Sequence, residues 1–437
     1  MLVWSSREPR TSHRMIVKET LDSGLTLVTE AMPEVRSVAI GVWLRRGSRH
    51  ESREAGGVSH FIEHMVFKGT KHRSAERIAA EVDSIGGYMD AFTAKEYASF
   101  HLKVLDEHLP LAVEILGDIV QHPLFDAAEM AREKKVIFEE MSMVEDTPDD
   151  LVMEVFSEAF WPDHPLGRPI LGTRRSVAGF ERADLARYFN RVYRPANILI
   201  AAAGHLEHEA LSRLVRRHFA GLEARSRTAP AHANGERPPV PAFRTVTRSK
   251  SQLEQVHLCI GARSCPQAHP DRYASYLLNT VLGGSMSSRL FQNVREKRGL
   301  AYSISSGLTA YSDSGALTVY AGTRLDKAPE VLRLTFDEMR RLREEPLGPE
   351  ELRRAKDHVK GGLLLSLEGS GARMNHLARQ ELYFGRQLGT PEILDSIEAV
   401  SADDVRRVAG EIFDGRLAAS VLGDLRGGRP KTAEVTV

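Results

Sequence analysis

The feature that most restricts what this chain can fold into is a long-period repeat. Leu105-Asp106 leads into an apolar segment at Leu109, and Leu325-Asp326 leads into another at Pro329, 220 residues further on. Pro123-Leu124 precedes Asp126-Ala-Ala-Glu129, and Pro346-Leu347 precedes Gly348-Pro-Glu-Glu351, 223 residues further on. Between the copies, residues 223–243 hold Pro230, Pro238, Pro239 and Pro241, several alanines and Gly235, with little apolar periodicity, the composition of a linker. Punctuation recurring once at this distance describes a duplicated unit. Residues 15–222 and 244–425 are therefore expected to be two α+β halves of like topology.

Local patterns fill in the first half. Ile16–Glu30 reads as a hairpin turning at Asp22-Ser-Gly24, and Val38–Leu44 as a strand rich in β-branched and aromatic residues. Ala75–Ile85 has helical periodicity and ends at Gly86-Gly87. A strand is expected from Asp90 to about Val104, and the sequence slightly favours an ordinary central strand over an edge. Helices follow over Leu109–Val120 and from a capping-box-like start at Asp126 to about Val144. Trp161–Thr173 reads as loop, Arg182–Val192 as helix, Asn197–Ala203 as a buried strand and Leu206–Phe219 as helix.

Chemistry concentrates at His60-Phe-Ile-Glu-His64. On a helix, residues four apart lie one turn apart on one face, so the two imidazoles converge and Glu63 falls beside them. Two imidazoles and a carboxylate within one turn can hold zinc and keep a base next to it. Phe61, Ile62, Val66 and Phe67 make the other faces apolar, which buries the helix; Gly56-Gly57 and Gly69 mark its ends. On the helix from Asp126, Glu133 and Glu140 are seven residues apart and share a face about 10 Å apart. This chemistry is not duplicated: at an offset of 222, Glu133 meets Ala355 and Glu140 meets Gly362, and the second half has no HxxEH. The second half instead offers Gly283-Gly284, Ser287-Ser-Arg-Leu-Phe291 and Arg295-Glu-Lys-Arg-Gly-Leu-Ala-Tyr302, whose Arg295 and Tyr302 could reach a substrate carbonyl if the halves close. His72, His101, His108 and His122 have no spacing that marks a site and are expected to be structural or exposed.

Composition removes several classes. Basic and acidic residues balance at 59 each, with no basic stripe, which argues against nucleic-acid binding. No apolar run approaches a membrane span. The N-terminus lacks a secretory apolar core, and residues 1–14 read as an extension ahead of Met15. Cys259 and Cys265 are the only cysteines, too few for a disulfide framework, which suits a reducing compartment.

HxxEH is the inverzincin signature. Together with His60–Thr70, Ala91-Phe-Thr93, Glu133–Glu140, His164-Pro-Leu-Gly167, Gly283–Tyr302 and Ser366–Leu382, it makes the chain resemble the pitrilysin/insulinase family of zinc peptidases, and most nearly its bacterial branch similar to mitochondrial processing peptidase. The resemblance runs from Met15 to about Leu422. It implies a clam of two α+β halves enclosing a chamber, and one Zn2+ per chain held by His60, His64 and Glu140. It further implies support of the site by Glu133, substrate binding at the scissile bond by Arg295 and Tyr302, and an edge strand at Ala91, Phe92 and Thr93 on which substrates lie extended. Asp90 departs from the asparagine expected there; the extra charge would either bias the site towards basic peptides or simply be tolerated. With His60 and His64 as ligands, Glu63 is left as the general base.

The expected function is a zinc endopeptidase acting on extended or unfolded peptides, presequence-like ones included, as a cytoplasmic homodimer. The mitochondrial matrix is the alternative compartment. Dependence on a partner chain, or a non-enzymatic scaffold role, are the alternative functions. The intact His60, Glu63, His64 and Glu140 set argues against the scaffold, and Gly369-Ser-Gly371 is too short for the glycine loop of a partner-type subunit.

Overall fold

The computed structural model describes residues 16–222 and 238–425. Residues 1–15 and most of the expected linker, 223–237, lie outside the described residues; 238–243 run without helix or strand. The first half contains β1 (Ile16–Thr20), β2 (Thr26–Ala31), β3 (Ser37–Leu44), α1 (Val58–Val66), α2 (Ala75–Asp83), β4 (Tyr88–Thr93), β5 (Ala98–Leu105), α3 (Leu109–Ile119), α4 (Ala127–Asp146), α5 (Pro148–Phe160), α6 (Arg174–Gly179), α7 (Arg182–Val192), β6 (Ile198–Gly204) and α8 (His208–His218). The second contains β7 (Thr245–Ser249), β8 (Val256–Ser264), α9 (Arg272–Leu282), a π-helical turn (Phe291–Glu296), β9 (Ala301–Ala310), β10 (Gly315–Thr323), α10 (Ala328–Glu344), α11 (Pro349–Ser366), α12 (Ser370–Phe384), α13 (Thr390–Glu398), α14 (Ala402–Ile412) and β11 (Ala418–Gly423).

The two sheets have one topology. The first runs β1-β2-β6-β3-β5-β4 and the second β7-β11-β8-β10-β9. Dropping β1, each strand finds its counterpart with the same pairing sense, including the single parallel pair, β2 with β6 and β7 with β11. The chain is thus an α+β protein of two similar halves.

Side-chain alternation shows how each sheet is covered. Val38, Ile40, Val42 and Leu44 of β3 point into the core shared with α1 and α3, while Ala39 and Trp43 point to the opposite face. That opposite face is closed by a helix of the other half: Met374, Leu377 and Ala378 of α12 pack on Val28, Ala39, Trp43, Leu199 and Ala201. Reciprocally, Val152, Phe156 and Phe160 of α5 pack on Cys259, Ala316, Ala418 and Leu422 of the second sheet. The seats are equivalent glycines 220 residues apart. A Cβ on Gly261 would lie 2.2 Å from Phe156 Cζ, and one on Gly41 would lie 3.1 Å from Met374 Sδ.

One expected strand is two. The stretch from Asp90 to Val104 folds as the hairpin β4–β5, because Lys95 and Glu96 break the apolar run and spend their charges elsewhere. Lys95 Nζ donates to Arg168 O, and Glu96 accepts from Arg49 (2.7 Å) and from Ser312 Oγ (2.6 Å). The hairpin turn thereby meets the β9–β10 turn of the second half, where buried Arg49 also grips Asp313 through both terminal nitrogens (3.0 and 2.8 Å). Among the described residues β4 pairs with β5 alone and ends the first sheet, so it is an edge and not the central strand that the sequence favoured.

Candidate metal centre

Helix α1 is fixed at its start by backbone packing. Gly57 sits at φ +94°, where a Cβ would lie 2.6 Å from Leu171 O, so the helix begins flush against the 169–172 loop. The carboxylate of Glu51 takes two of the orphan amides there, from Gly57 and Ser59, both at 2.8 Å. Burial pushes the Glu51 carboxyl up to about 7, against the downward pull of those hydrogen bonds. Ser59 also bonds the Tyr188 hydroxyl at 2.8 Å. Val58, Phe61, Ile62, Met65 and Val66 are fully buried, so the remaining face presents His60, Glu63 and His64.

Helix α4 brings its carboxylates to that face. Asp126 caps it, accepting from Ala128 N and Glu129 N. Glu140 Oε2 lies 3.6 Å from His60 Nε2, and Glu140 Oε1 lies 3.5 Å from His64 Nε2. Glu133, one turn pair earlier and buried, places Oε2 2.9 Å from His64 Nδ1 and Oε1 2.8 Å from Lys68 Nζ. Burial raises the proton affinity of Glu133, but Lys68 and His64 more than offset it and hold the carboxyl below its ordinary range. Desolvation, helped by the neighbouring His64, pulls His60 down to about 3, which keeps it neutral and its lone pair free.

This set fits a divalent metal. For bonds of about 2.0–2.1 Å, tetrahedral zinc separates its donors by about 3.3–3.4 Å, close to the two distances given above. One buried oxygen, Glu140 Oε2, has no hydrogen-bond partner among the described residues, as expected of an atom aimed at an ion. Donors of type N, N and O select a transition metal over calcium or magnesium.

Glu63 is held beside this set but outside it. Thr93 Oγ1 donates to Glu63 Oε2 at 2.5 Å, and burial raises the carboxyl's pKa above its ordinary value. Thr93 ends β4, and Met89 and Ala91 of the same strand pack into the core under α1. The metal face and the free sheet edge are therefore contiguous.

The chain is similar to known proteins over most of its length. Residues 26–174 match the insulinase (peptidase family M16) model, and 179–359 match the model described as the peptidase M16 inactive domain. The zinc protease YmxG of Bacillus subtilis is 41% identical over 399 residues, covering 91% of this chain and 96% of its own. A zinc protease of Mycobacterium tuberculosis is 40% identical over 408 residues, with 93% and 92% covered. The chain belongs to the M16 peptidase family. Its fold is also that of a protease from Helicobacter pylori, with TM-score 0.86 at 21% identity over 94% of this chain and 99% of that one.

In this M16 chain the second half carries no copy of the metal face. Helix α9 stands where α1 does and reads Arg-Tyr-Ala-Ser-Tyr-Leu-Leu-Asn-Thr-Val-Leu, with no imidazole or carboxylate. Arg295 lies on the π-helical turn, its guanidinium 4.8 Å from the Tyr302 ring and 4.7 Å from the Phe291 ring. Tyr302 is the second residue of the edge strand β9 and is 78% exposed. The structure brings these two residues to each other. Among the described residues neither is hydrogen-bonded or ion-paired to the His60 group. Ala91, Phe92 and Thr93 all lie on β4, the last strand of the first sheet.

Sequence reading missed one cluster. His72 and His122 were expected to be structural or exposed, yet they converge with Asp118, one ligand atom of each within 4.8 Å of the others. Asp118 and His122 stand four apart, a one-turn spacing that was open to reading, but the approach of His72 carries no signal because it depends on how the 67–74 loop turns back on α3. No helix among the described residues is long and apolar enough to cross a membrane.

Proposed function

We propose that the chain is a zinc-dependent endopeptidase, with one catalytic Zn2+ held by His60, His64 and Glu140. The observation that carries this reading is a three-donor set of zinc geometry with a half-buried carboxylate, Glu63, beside it on the same helix and a strand edge within hydrogen-bond reach of that carboxylate. Zinc at this set supplies Lewis-acid activation of a water and of a substrate carbonyl.

The chain's own residues do the rest. Glu63 takes the proton of the attacking water and passes it to the leaving amine; burial raises its proton affinity towards what that shuttle needs. Thr93 holds Glu63 Oε2, so the base is positioned by the strand that receives the substrate. An extended peptide adds to β4 along Ala91, Phe92 and Thr93 by main-chain hydrogen bonds. Asp90, exposed on that edge and bonded by the Tyr88 hydroxyl at 3.2 Å, favours a basic side chain in the bound peptide, as in presequences. Arg295 and Tyr302 reach the scissile peptide when the halves close over a chamber, Tyr302 on the oxyanion and Arg295 on the backbone near it. Glu133 orients His64 through Nδ1. The organisation is two halves, 15–222 and 244–425, working as a homodimer in the cytoplasm without nucleic-acid or membrane partners.

The test is hydrolysis of a quenched fluorescent peptide library by the purified chain, beside Glu63→Gln. Turnover by the wild type, lost with a chelator and lost in a variant that still binds zinc, is the expected result. Loss of zinc from Glu63→Gln would make Glu63 a ligand and end the assignment. Stoichiometric zinc without turnover would mean that the chain needs a partner subunit.

A further inference from the structure

The segment after α1 folds back onto the end of α3. Thr70 bridges Pro123, Lys71 N donates to His122 O at 3.0 Å, and Leu124 N donates to Gly69 O at 3.1 Å. These main-chain bonds bring the exposed His72 to the half-buried His122, ring centroids 5.1 Å apart and nearly perpendicular. Asp118, 5% exposed on the last turn of α3, completes the group. Its Oδ2 accepts from Thr70 Oγ1 (2.6 Å) and Arg73 Nη1 (3.2 Å), while its Oδ1 lies 3.2 Å from His122 Nδ1. The Arg73 guanidinium is itself held by Glu81 and Glu114, so it anchors Asp118 within a fixed network.

We propose that His72, Asp118 and His122 form a second transition-metal site, which pins the segment following the catalytic helix to α3. The donors are two imidazoles and one carboxylate, the same types as in the set at His60, and they select zinc, cobalt or nickel over calcium or magnesium. The 3.2 Å between Asp118 Oδ1 and His122 Nδ1 is close to the donor separation in a tetrahedral site. Asp118 is already placed through Oδ2 by Thr70 and Arg73, and His122 by its main-chain bond from Lys71 N; the hydrogen bond between Asp118 Oδ1 and His122 Nδ1 gives way to the metal. The third, His72, is exposed and free to rotate the remaining distance. Lys71 lies beside the group and opposes a cation, which makes the site weaker than the first. Occupancy matters for the first site through Lys68, which leaves the end of α1 in this same segment and holds Glu133.

The experiment titrates the metal-free full-length chain with Co2+, following visible absorption, and with Zn2+, following equilibrium dialysis. The wild type binds two equivalents, the second at least tenfold more weakly; His72→Ala and His122→Gln bind one. In His60→Ala/His64→Ala one equivalent remains and raises the melting temperature, and adding His72→Ala abolishes both the binding and the shift. Because His72 is exposed, its substitution leaves folding intact, and the comparison of wild type with His72→Ala stands even if the double variant is unstable. A single equivalent on the wild type, or a second equivalent that survives both His72→Ala and His122→Gln, overturns the proposal.

Discussion

Replacing Glu133 by glutamine tests whether the charge behind His64 sets the affinity of the metal site. Glu133 spends both oxygens, Oε2 on His64 Nδ1 at 2.9 Å and Oε1 on Lys68 Nζ at 2.8 Å, with its side chain 6% exposed. A glutamine keeps one acceptor and turns an amide donor towards the other partner, so one charge-assisted hydrogen bond is lost and a donor faces a donor. Such a bond is worth about 1.5–3 kcal/mol. If the loss falls on the oriented His64, zinc affinity drops by about 10- to 100-fold, the range for the partners of metal-bound histidines. Competition with a chromophoric chelator at pH 7.5 measures it. Lys68→Met gives an internal control. Glu133 then keeps His64 but loses its strongest pull towards low pKa. The ionised carboxylate's contribution is present above its ordinary pKa and lost as pH falls through the depressed one, so this variant releases zinc at higher pH than the wild type. Affinity within twofold of wild type in a folded Glu133→Gln would refute the reasoning, since it would leave His64 oriented by packing alone.

Two other substitutions probe what holds the site in place. Arg49→Met removes the cation shared by Glu96 and Asp313 across the two halves. It should lower stability by about 3 kcal/mol, at the low end for a broken buried pair because Ser312 still serves Glu96, and Arg49→Met/Asp313→Leu should recover part of it. Urea unfolding followed by tryptophan fluorescence reads this, and a single variant as stable as wild type would mean that the bridge contributes nothing. Glu51, raised to about 7 from 4.5, binds more protons folded than unfolded, so its contribution is full below about 4.5 and lost as pH rises through 7. The wild type's stability advantage over Glu51→Gln, measured on metal-free protein, should therefore shrink by about 3 kcal/mol from pH 4.5 to 7.5; equal pH dependence of the two would remove Glu51 as a buried acid.

The parts of the site visible in the sequence were those fixed by local periodicity. His60, Glu63 and His64 sit within one turn, and the capping signal at Asp126 gave the phase that puts Glu133 and Glu140 on one face of α4. What escaped was set by distant contacts. The β4–β5 turn looked like mid-strand because Lys95 and Glu96 find their partners in Arg168, Arg49 and Ser312, none of them nearby in sequence. β4 looked central because its apolar residues read like those of a strand paired on both sides, and edge position is a property of topology. α5 received no assignment although its apolar spacing is helical, and the role of that spacing became visible only against Gly261 of the other half. The His72 cluster depends on a loop reversal that no spacing encodes.

The helix exchange also bears on how two halves could close. The second face of the first sheet is covered by α12, and that of the second sheet by α5. A hinge at the linker alone, moving 15–222 against 244–425, would strip Trp43 and Leu199 from Met374 and Leu377, exposing apolar surface that each half buries completely. The packed units are instead each sheet with its borrowed helix. The chain crosses between these units before and after each borrowed helix, and the two entering crossings are equivalent bends: Thr147-Pro148 between α4 and α5, and Leu367–Gly369 between α11 and α12. The first bend follows α4 directly, one turn pair after Glu140. A closing motion about it would carry β9, with Arg295 and Tyr302, relative to the α4 end that bears the third metal donor. The bends are thus better placed than the linker to couple substrate capture to the geometry of the metal site.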